Sequence, residues 1–120
     1  MLIKSLKDCR EFIAGDHTIL RELLNPDKDP VAHRYSLAHA RLPVGQWSDL
    51  HILSTSEVYY ILSGAGRVEI NGEVRDVAVG DAVYIPPQAR QRILAIGPDE
   101  LVFLCIVDPA WRAEDETVLT

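Results

Sequence analysis

From Val31 onward the chain is cut at short, regular intervals by residues that turn a backbone, and the pieces between them are too short for helices. Residues 34–42 stop at Pro43-Val44-Gly45, residues 57–62 run into Gly64-Ala65-Gly66, and residues 67–70 into Asn71-Gly72. Residues 73–79 end at Gly80-Asp81, 82–85 at Pro86-Pro87, 90–96 at Gly97-Pro98-Asp99, and 101–107 at Asp108-Pro109. Glycine supplies backbone angles that other residues resist, and proline presets φ and removes a donor, so such pairs end strands and start turns. Asn71-Gly72 between two strand-like runs is the strongest local hairpin signal, because both central residues of a type I′ turn need positive φ. Short strands at this spacing predict an all-β sandwich or closed barrel. No helical pattern long enough to cover a sheet lies among them.

The first thirty residues read differently. Leu6, Cys9, Phe12 and Ile13 are spaced loosely like one helix face, with Ser5 available as an N-cap, until Gly15-Asp16 breaks the pattern. Over residues 18–24, Ile19, Leu20, Leu23 and Leu24 follow helical spacing better than alternation. Asn25-Pro26 and Asp29-Pro30 then supply turn chemistry.

A chain of 120 residues fits one domain and can bury a core without staples. Its net charge of −6, with no basic stripe, argues against a nucleic-acid backbone or an anionic membrane as partner. Asp27-Lys28-Asp29 and Glu114-Asp115-Glu116 read as solvated surface. Cys9 and Cys105 lack metal-ribbon or redox spacing, and Cys105, inside the apolar run of residues 101–107, reads as a small buried hydrophobe. The N-terminus lacks a signal-peptide core and no apolar stretch spans a bilayer, so a cytoplasmic setting is expected.

Residue spacing then adds a sharper signal. Gly45 is followed after five residues by His51, then come Glu57 and, six residues on, Gly64; Gly80 is followed after five residues by Pro86, and then by Gln91. In these two motifs, in this order, the chain resembles small single-domain cupins of the conserved-barrel type over residues 35–107. The resemblance implies a jelly-roll barrel of two antiparallel sheets, usually a homodimer. The chain is then a single cupin domain: residues 1–30 form an N-terminal extension that could pair with a second subunit, 35–107 the barrel, and 108–120 an acidic tail. It also implies a strand, not a helix, over residues 18–24. Gly64, Gly66 and Gly80 fall at strand corners, where positive φ or sharp bending is expected.

Cupins of this resemblance hold a divalent metal (iron, manganese, nickel or zinc) through two histidines and a glutamate of the first motif and a histidine of the second. Here His51 and Glu57 match, but Leu53 stands at the second histidine and Gln91 at the last. Gln88 and Ala95 also depart from the usual glycine and asparagine of the second motif. The remaining metal set is His51, Glu57 and Gln91, a depleted version of a site that needs two histidines and a carboxylate. It implies either one divalent ion or none, with His39, Asp49 and Tyr59 as groups that could fill in. His39 faces away if the small Ser36, Ala38 and Ala40 face the cavity, since strand side chains alternate. The same three residues could equally be a hydrogen-bonded polar cluster in a metal-free barrel.

Tyr59, Trp47 and Gln88 are the candidate ligand contacts; Tyr59 has an apolar ring and a polar tip, and Trp47 lies either at the barrel mouth against a ligand or in packing. Tyr60 is expected to point outward, and Trp111 to anchor the tail. His17 and His33, beside turn residues, read as solvated. Two functions follow. One is a barrel that binds a small molecule, sugar-like or carboxylic, without turning it over; the other is a metal-dependent enzyme of the isomerase or dioxygenase sort using His51, Glu57 and Gln91. The blander alternative to both is a regulatory or structural dimer with a vestigial pocket. Glu57 is also the candidate catalytic residue by itself, as a general base with a pKa raised by burial.

Overall fold

The computed structural model describes residues 1–119, and they form eleven strands in two antiparallel sheets. In chain order these are β1 (Glu11–Ile13), β2 (Ile19–Leu24), β3 (Ser36–Leu42), β4 (His51–Leu53), β5 (Ser56–Ser63) and β6 (Ala65–Ile70). They continue as β7 (Glu73–Ala78), β8 (Ala82–Ile85), β9 (Arg90–Ala95), β10 (Leu101–Asp108) and β11 (Glu116–Val118). One sheet runs β1-β2-β3-β10-β5-β8 and the other β11-β4-β9-β6-β7. The chain therefore alternates between sheets, as a jelly roll does. Among the described residues no helix is long and apolar enough to cross a membrane.

The turn chemistry sets the corners. Asn71 and Gly72 both take positive φ, 49° and 84°, and join β6 to β7 in strict register from Ala65↔Ala78 to Ile70↔Glu73. Gly64 turns β5 into β6 at φ 80°, where an added Cβ would lie 2.4 Å from the Glu100 carbonyl oxygen. Gly66 differs from the expectation of a bent corner: it lies within β6 without positive φ. Its missing side chain serves close approach, since a Cβ there would stand 3.1 Å from Leu101 and 3.3 Å from the Leu94 carbonyl.

The N-terminal segment is strand, as the resemblance implied and against the local helical spacing. Only Leu6–Asp8 makes a helical turn, a single 3₁₀ one with no side-chain cap from Ser5. Residues 19–24 pair with β3, and Phe12 lies opposite Leu20 on β1–β2. Nonlocal pairing with an existing sheet edge outweighs the small propensity differences of so short a stretch.

Alternation puts Ala40, Leu42, Ile61, Ile93, Leu101 and Phe103 inside, all but inaccessible to solvent. Each large side chain of this set contributes on the order of 2 kcal/mol by burial. This apolar fill occupies one end of the barrel. Toward the other end the inward residues of β3 shrink to Ala38 and Ser36, and a cavity opens where they leave room.

Candidate functional site: a carboxyl-lined barrel cavity

The cavity has a volume of about 270 Å³ and is bounded by both sheets, the β1–β2 loop and the C-terminal segment. Its apolar wall includes Leu53, Phe103 and Val107. The Tyr59 ring belongs to the same wall and is tilted against Phe103 with centroids 4.7 Å apart. His51 and Glu57 reach it from the two sheets, His51 as the first residue of β4 and Glu57 as the second residue of β5.

Each polar group has a definite setting. His51 is buried, and its Nδ1 donates to the Asp49 carbonyl oxygen at 2.8 Å, a partner that can only accept. The imidazole's Nε2 thereby faces Asp16 Oδ2, 3.7 Å away. Asp16 is buried as well; its Oδ1 accepts from the Thr18 backbone N–H at 3.1 Å and the Thr18 hydroxyl at 2.7 Å. Glu57 is only 6% exposed, and its Oε1 has no hydrogen-bond partner among the described residues. Burial pushes its carboxyl up to about 8, and the charges of Asp16 and Glu116 add to the effect, while Gln91 and Tyr59 favour the ionised form. Glu57 therefore carries a proton at neutral pH. Burial also holds the Tyr59 and Cys105 pKa values well above their ordinary ranges, so both stay neutral.

Gln91 lies directly opposite His51 across β4–β9 and is fully buried. The Tyr59 hydroxyl donates to its Oε1 at 2.9 Å. The three residues of the expected metal set are thus brought to one end of the barrel, but Gln91 stands behind the cavity wall with its amide oxygen engaged. Leu53 contributes only carbon to the cavity. Of the groups that could fill in, His39 pairs with Arg21 and Leu104 on the outer face, opposite to the cavity-lining Ala38. Asp49 turns its carboxylate to His17, at 2.5 Å, and Tyr59 spends its hydroxyl on Gln91. Among the described residues no three or more His, Cys, Asp or Glu side chains are placed to hold a metal ion. The donor set does not fit a divalent cation, which needs several oxygens or nitrogens converging at roughly 2.0–2.6 Å.

The other sequence candidates lie elsewhere. Gln88 is exposed in a turn at φ 69°, and its backbone N–H donates to the Leu53 carbonyl at 2.8 Å. Trp47 bridges to Leu94, with the Arg92 guanidinium 4.2 Å above its ring, outside the cavity. Tyr60 points outward, 41% exposed. His17 is mostly exposed, and His33 stacks on Tyr35.

Three acidic cavity residues, Asp16, Glu22 and Glu116, escaped the sequence reading. Asp16 looked only like a helix breaker, and Glu116 like one of three solvated acids. Glu116 instead lines the cavity, because β11 pairs with β4 and brings Glu116 opposite Leu53. Its Oε2 accepts from Trp111 Nε1 at 2.7 Å, and the Trp111 backbone N–H donates to Ser36 Oγ at 2.9 Å. Trp111 thus fastens the C-terminal segment to the barrel while forming part of the cavity wall. The Trp111/Glu116 spacing was the one available signal: an indole N–H needs an acceptor when half-buried.

Comparisons with known proteins agree with this architecture. The chain is 40% identical over 111 residues to uncharacterized protein MJ1618 of Methanocaldococcus jannaschii, covering 92% of this chain and 88% of that protein. Among solved structures it resembles a predicted oxalate decarboxylase of Thermotoga maritima (TM-score 0.79, 21% identity, 90% of this chain and 99% of that one). It resembles also Pac13, a nucleoside dehydratase of Streptomyces (TM-score 0.80, 18% identity, 99% and 91%). These structural likenesses concern the fold. The cupin domain family model matches residues 38–107, more than half the chain, and by that match and the barrel geometry this protein belongs to the cupin family.

Proposed function

We propose that this cupin binds a compact organic molecule inside its barrel, using hydrogen bonds and apolar contact in place of a metal. The observation that carries the reading is Glu57 Oε1, a buried polar atom without a hydrogen-bond partner among the described residues, at a cavity that pairs an apolar wall of Leu53, Phe103 and Val107 with a few polar groups. Leaving such an atom unmade costs on the order of 1–3 kcal/mol, which a ligand hydrogen bond would recover. Native mass spectrometry and elemental analysis of protein purified without chelators or a histidine tag test it. The expected result is an organic adduct without stoichiometric metal, lost in Leu53→Trp, which fills the cavity. Stoichiometric divalent metal that disappears in His51→Ala would instead favour the metal-dependent isomerase or dioxygenase reading.

A second reading is supported by the protonation of Glu57. A carboxylic acid with a pKa of about 8 can donate a proton at neutral pH, and with Nδ1–H held by the Asp49 carbonyl the neutral tautomer of His51 offers its lone pair at Nε2. Such an acid–base pair suits elimination of a hydroxyl, the class of reaction that the name nucleoside dehydratase gives to Pac13. Turnover that fails in Glu57→Gln while ligand binding persists would separate catalysis from binding.

The reading includes a homodimer. Its support is an in-register row across the six-stranded sheet, Leu24–Leu37–Ile106–Val58–Tyr84, on the face opposite the cavity. Tyr84 is 63% exposed there, and a second copy with the same row would cover it. Light scattering at micromolar concentration should give twice the chain mass, reduced to one chain by Ile106→Glu; a wild-type monomer would remove this part of the reading.

A further inference from the structure

Charge inside the cavity narrows what it can hold. Among the described residues no lysine or arginine lines it, whereas Asp16, Glu22, Glu57 and Glu116 do, from four separate elements of the chain. Glu22 is already matched, its Oε1 2.7 Å from Lys28 Nζ. Among the described residues no Lys or Arg is paired with the other three. Asp16 uses Oδ1 on Thr18 and has Oδ2 3.7 Å from His51 Nε2; Glu116 uses Oε2 on Trp111 and holds Oε1 over Gly15; Glu57 leaves Oε1 unpartnered at 6% exposure. Asp16, Glu57 and Glu116 all line the same cavity.

Resting on the small-molecule-binding reading above, we propose that the cavity selects a small organic cation, a primary ammonium on a compact apolar body. The ammonium would donate to Asp16, Glu57 and Glu116, and the carbon body would lie on Leu53, Phe103 and Val107. The chemistry matches on both sides. An ammonium offers three donors and no acceptor; Glu57 and Glu116 each present an oxygen without a hydrogen-bond partner among the described residues, and Asp16 Oδ2 has only His51 Nε2 facing it, at 3.7 Å. These groups are not gathered to hold a metal ion, which draws its ligands in to roughly 2.0–2.6 Å, whereas an ammonium head takes N–H···O bonds of roughly 2.7–2.9 Å and so asks for a looser arrangement. Gly15 contributes by lacking a side chain, since a Cβ would sit 3.1 Å from Glu116 Oε1. The overall charge of −6 also favours encounter with a cation. A dicarboxylate such as oxalate meets only repulsion from Asp16 and Glu116, which separates this cavity from any anion-binding one on the same fold.

Isothermal titration calorimetry of the full chain with one carbon skeleton in three charge states tests this: 3-methylbutan-1-amine, 3-methylbutan-1-ol and 3-methylbutanoate. The amine is expected to bind about tenfold or more tighter than the alcohol, and the carboxylate not at all, a factor of ten being the size of one charge-assisted hydrogen bond. Asp16→Asn keeps the Thr18 contacts and Glu116→Gln keeps the Trp111 contact while each removes a charge. Both should weaken the amine about tenfold and the alcohol by a smaller factor, so that the amine's advantage over the alcohol narrows. Alcohol or carboxylate binding as tight as the amine overturns the charge assignment and leaves the binding reading standing. Binding of none of the three overturns both.

Discussion

The Tyr59 hydroxyl donates to Gln91 Oε1 at 2.9 Å, with both side chains buried. This one contact converts what would be a metal-ligand position into part of the barrel's own hydrogen-bonding. It also explains how a polar pair survives beside Phe103 and Ile93, since buried polar groups persist only when satisfied. Tyr59→Phe should leave the Gln91 amide oxygen without its donor and destabilise the fold by about 1–2 kcal/mol. Urea unfolding monitored by tryptophan fluorescence measures it; a loss within error of zero would mean that Gln91 has another partner.

Restoring ligands should restore metal. Leu53 lines the cavity and Gln91 faces His51 across the sheet, so Leu53→His with Gln91→His adds two imidazoles beside His51 and Glu57. The double variant is expected to retain about one zinc or nickel per chain after dialysis, where the wild type retains far less, because imidazole is the strong neutral ligand the wild-type site lacks. Elemental analysis of the two proteins side by side decides it.

Glu57 makes stability depend on pH. Its folded pKa of about 8 lies above its ordinary value of 4.5. Between those values the folded state holds a proton that the unfolded chain has released, so this contribution is fully present below 4.5 and is lost as pH rises through 8. Several kcal/mol are at stake, at about 1.4 kcal/mol per pH unit of displacement. Denaturation midpoints should fall from pH 5 to pH 9, and Glu57→Gln, which cannot ionise, should flatten the profile and be the more stable protein at pH 9. Parallel profiles for the two proteins would show that Glu57 is ionised throughout.

Two corner glycines should respond unequally to alanine. Gly64 and Gly80 both have positive φ, 80° and 91°. A Cβ at Gly80 meets nothing within 4 Å, whereas one at Gly64 would collide with the Glu100 carbonyl at 2.4 Å. Gly80→Ala should cost about 1–2 kcal/mol, the strain of the left-handed region. Gly64→Ala adds a backbone clash and should cost about 3 kcal/mol or more. Equal losses in chemical denaturation would mean the β5–β6 corner can shift.

Much of the barrel was legible from local chemistry. Asn71-Gly72, Gly80-Asp81 and Pro86-Pro87 end strands by themselves, and alternation along β5 puts Glu57, Tyr59 and Ile61 on one face wherever that strand ends up. The motif spacing likewise brought His51 and Glu57 to the same interior. The N-terminal strands were not legible from spacing, because Ile19, Leu20, Leu23 and Leu24 suit a helix until β3 offers an edge.

The chain alone determined the turns, the strand faces and the absence of two histidine ligands, since each depends on one residue type at one position. Tertiary structure alone decided what stands around the cavity. Asp16, Glu57 and Glu116 come from distant points of the chain, and only the pairing of β11 with β4 and the fold of the β1–β2 loop bring their charges together. Electrostatic energy depends on distance and burial, neither of which is written in residue order, so the raised pKa of Glu57 and the cation-seeking character proposed for the cavity appear only once the barrel is closed.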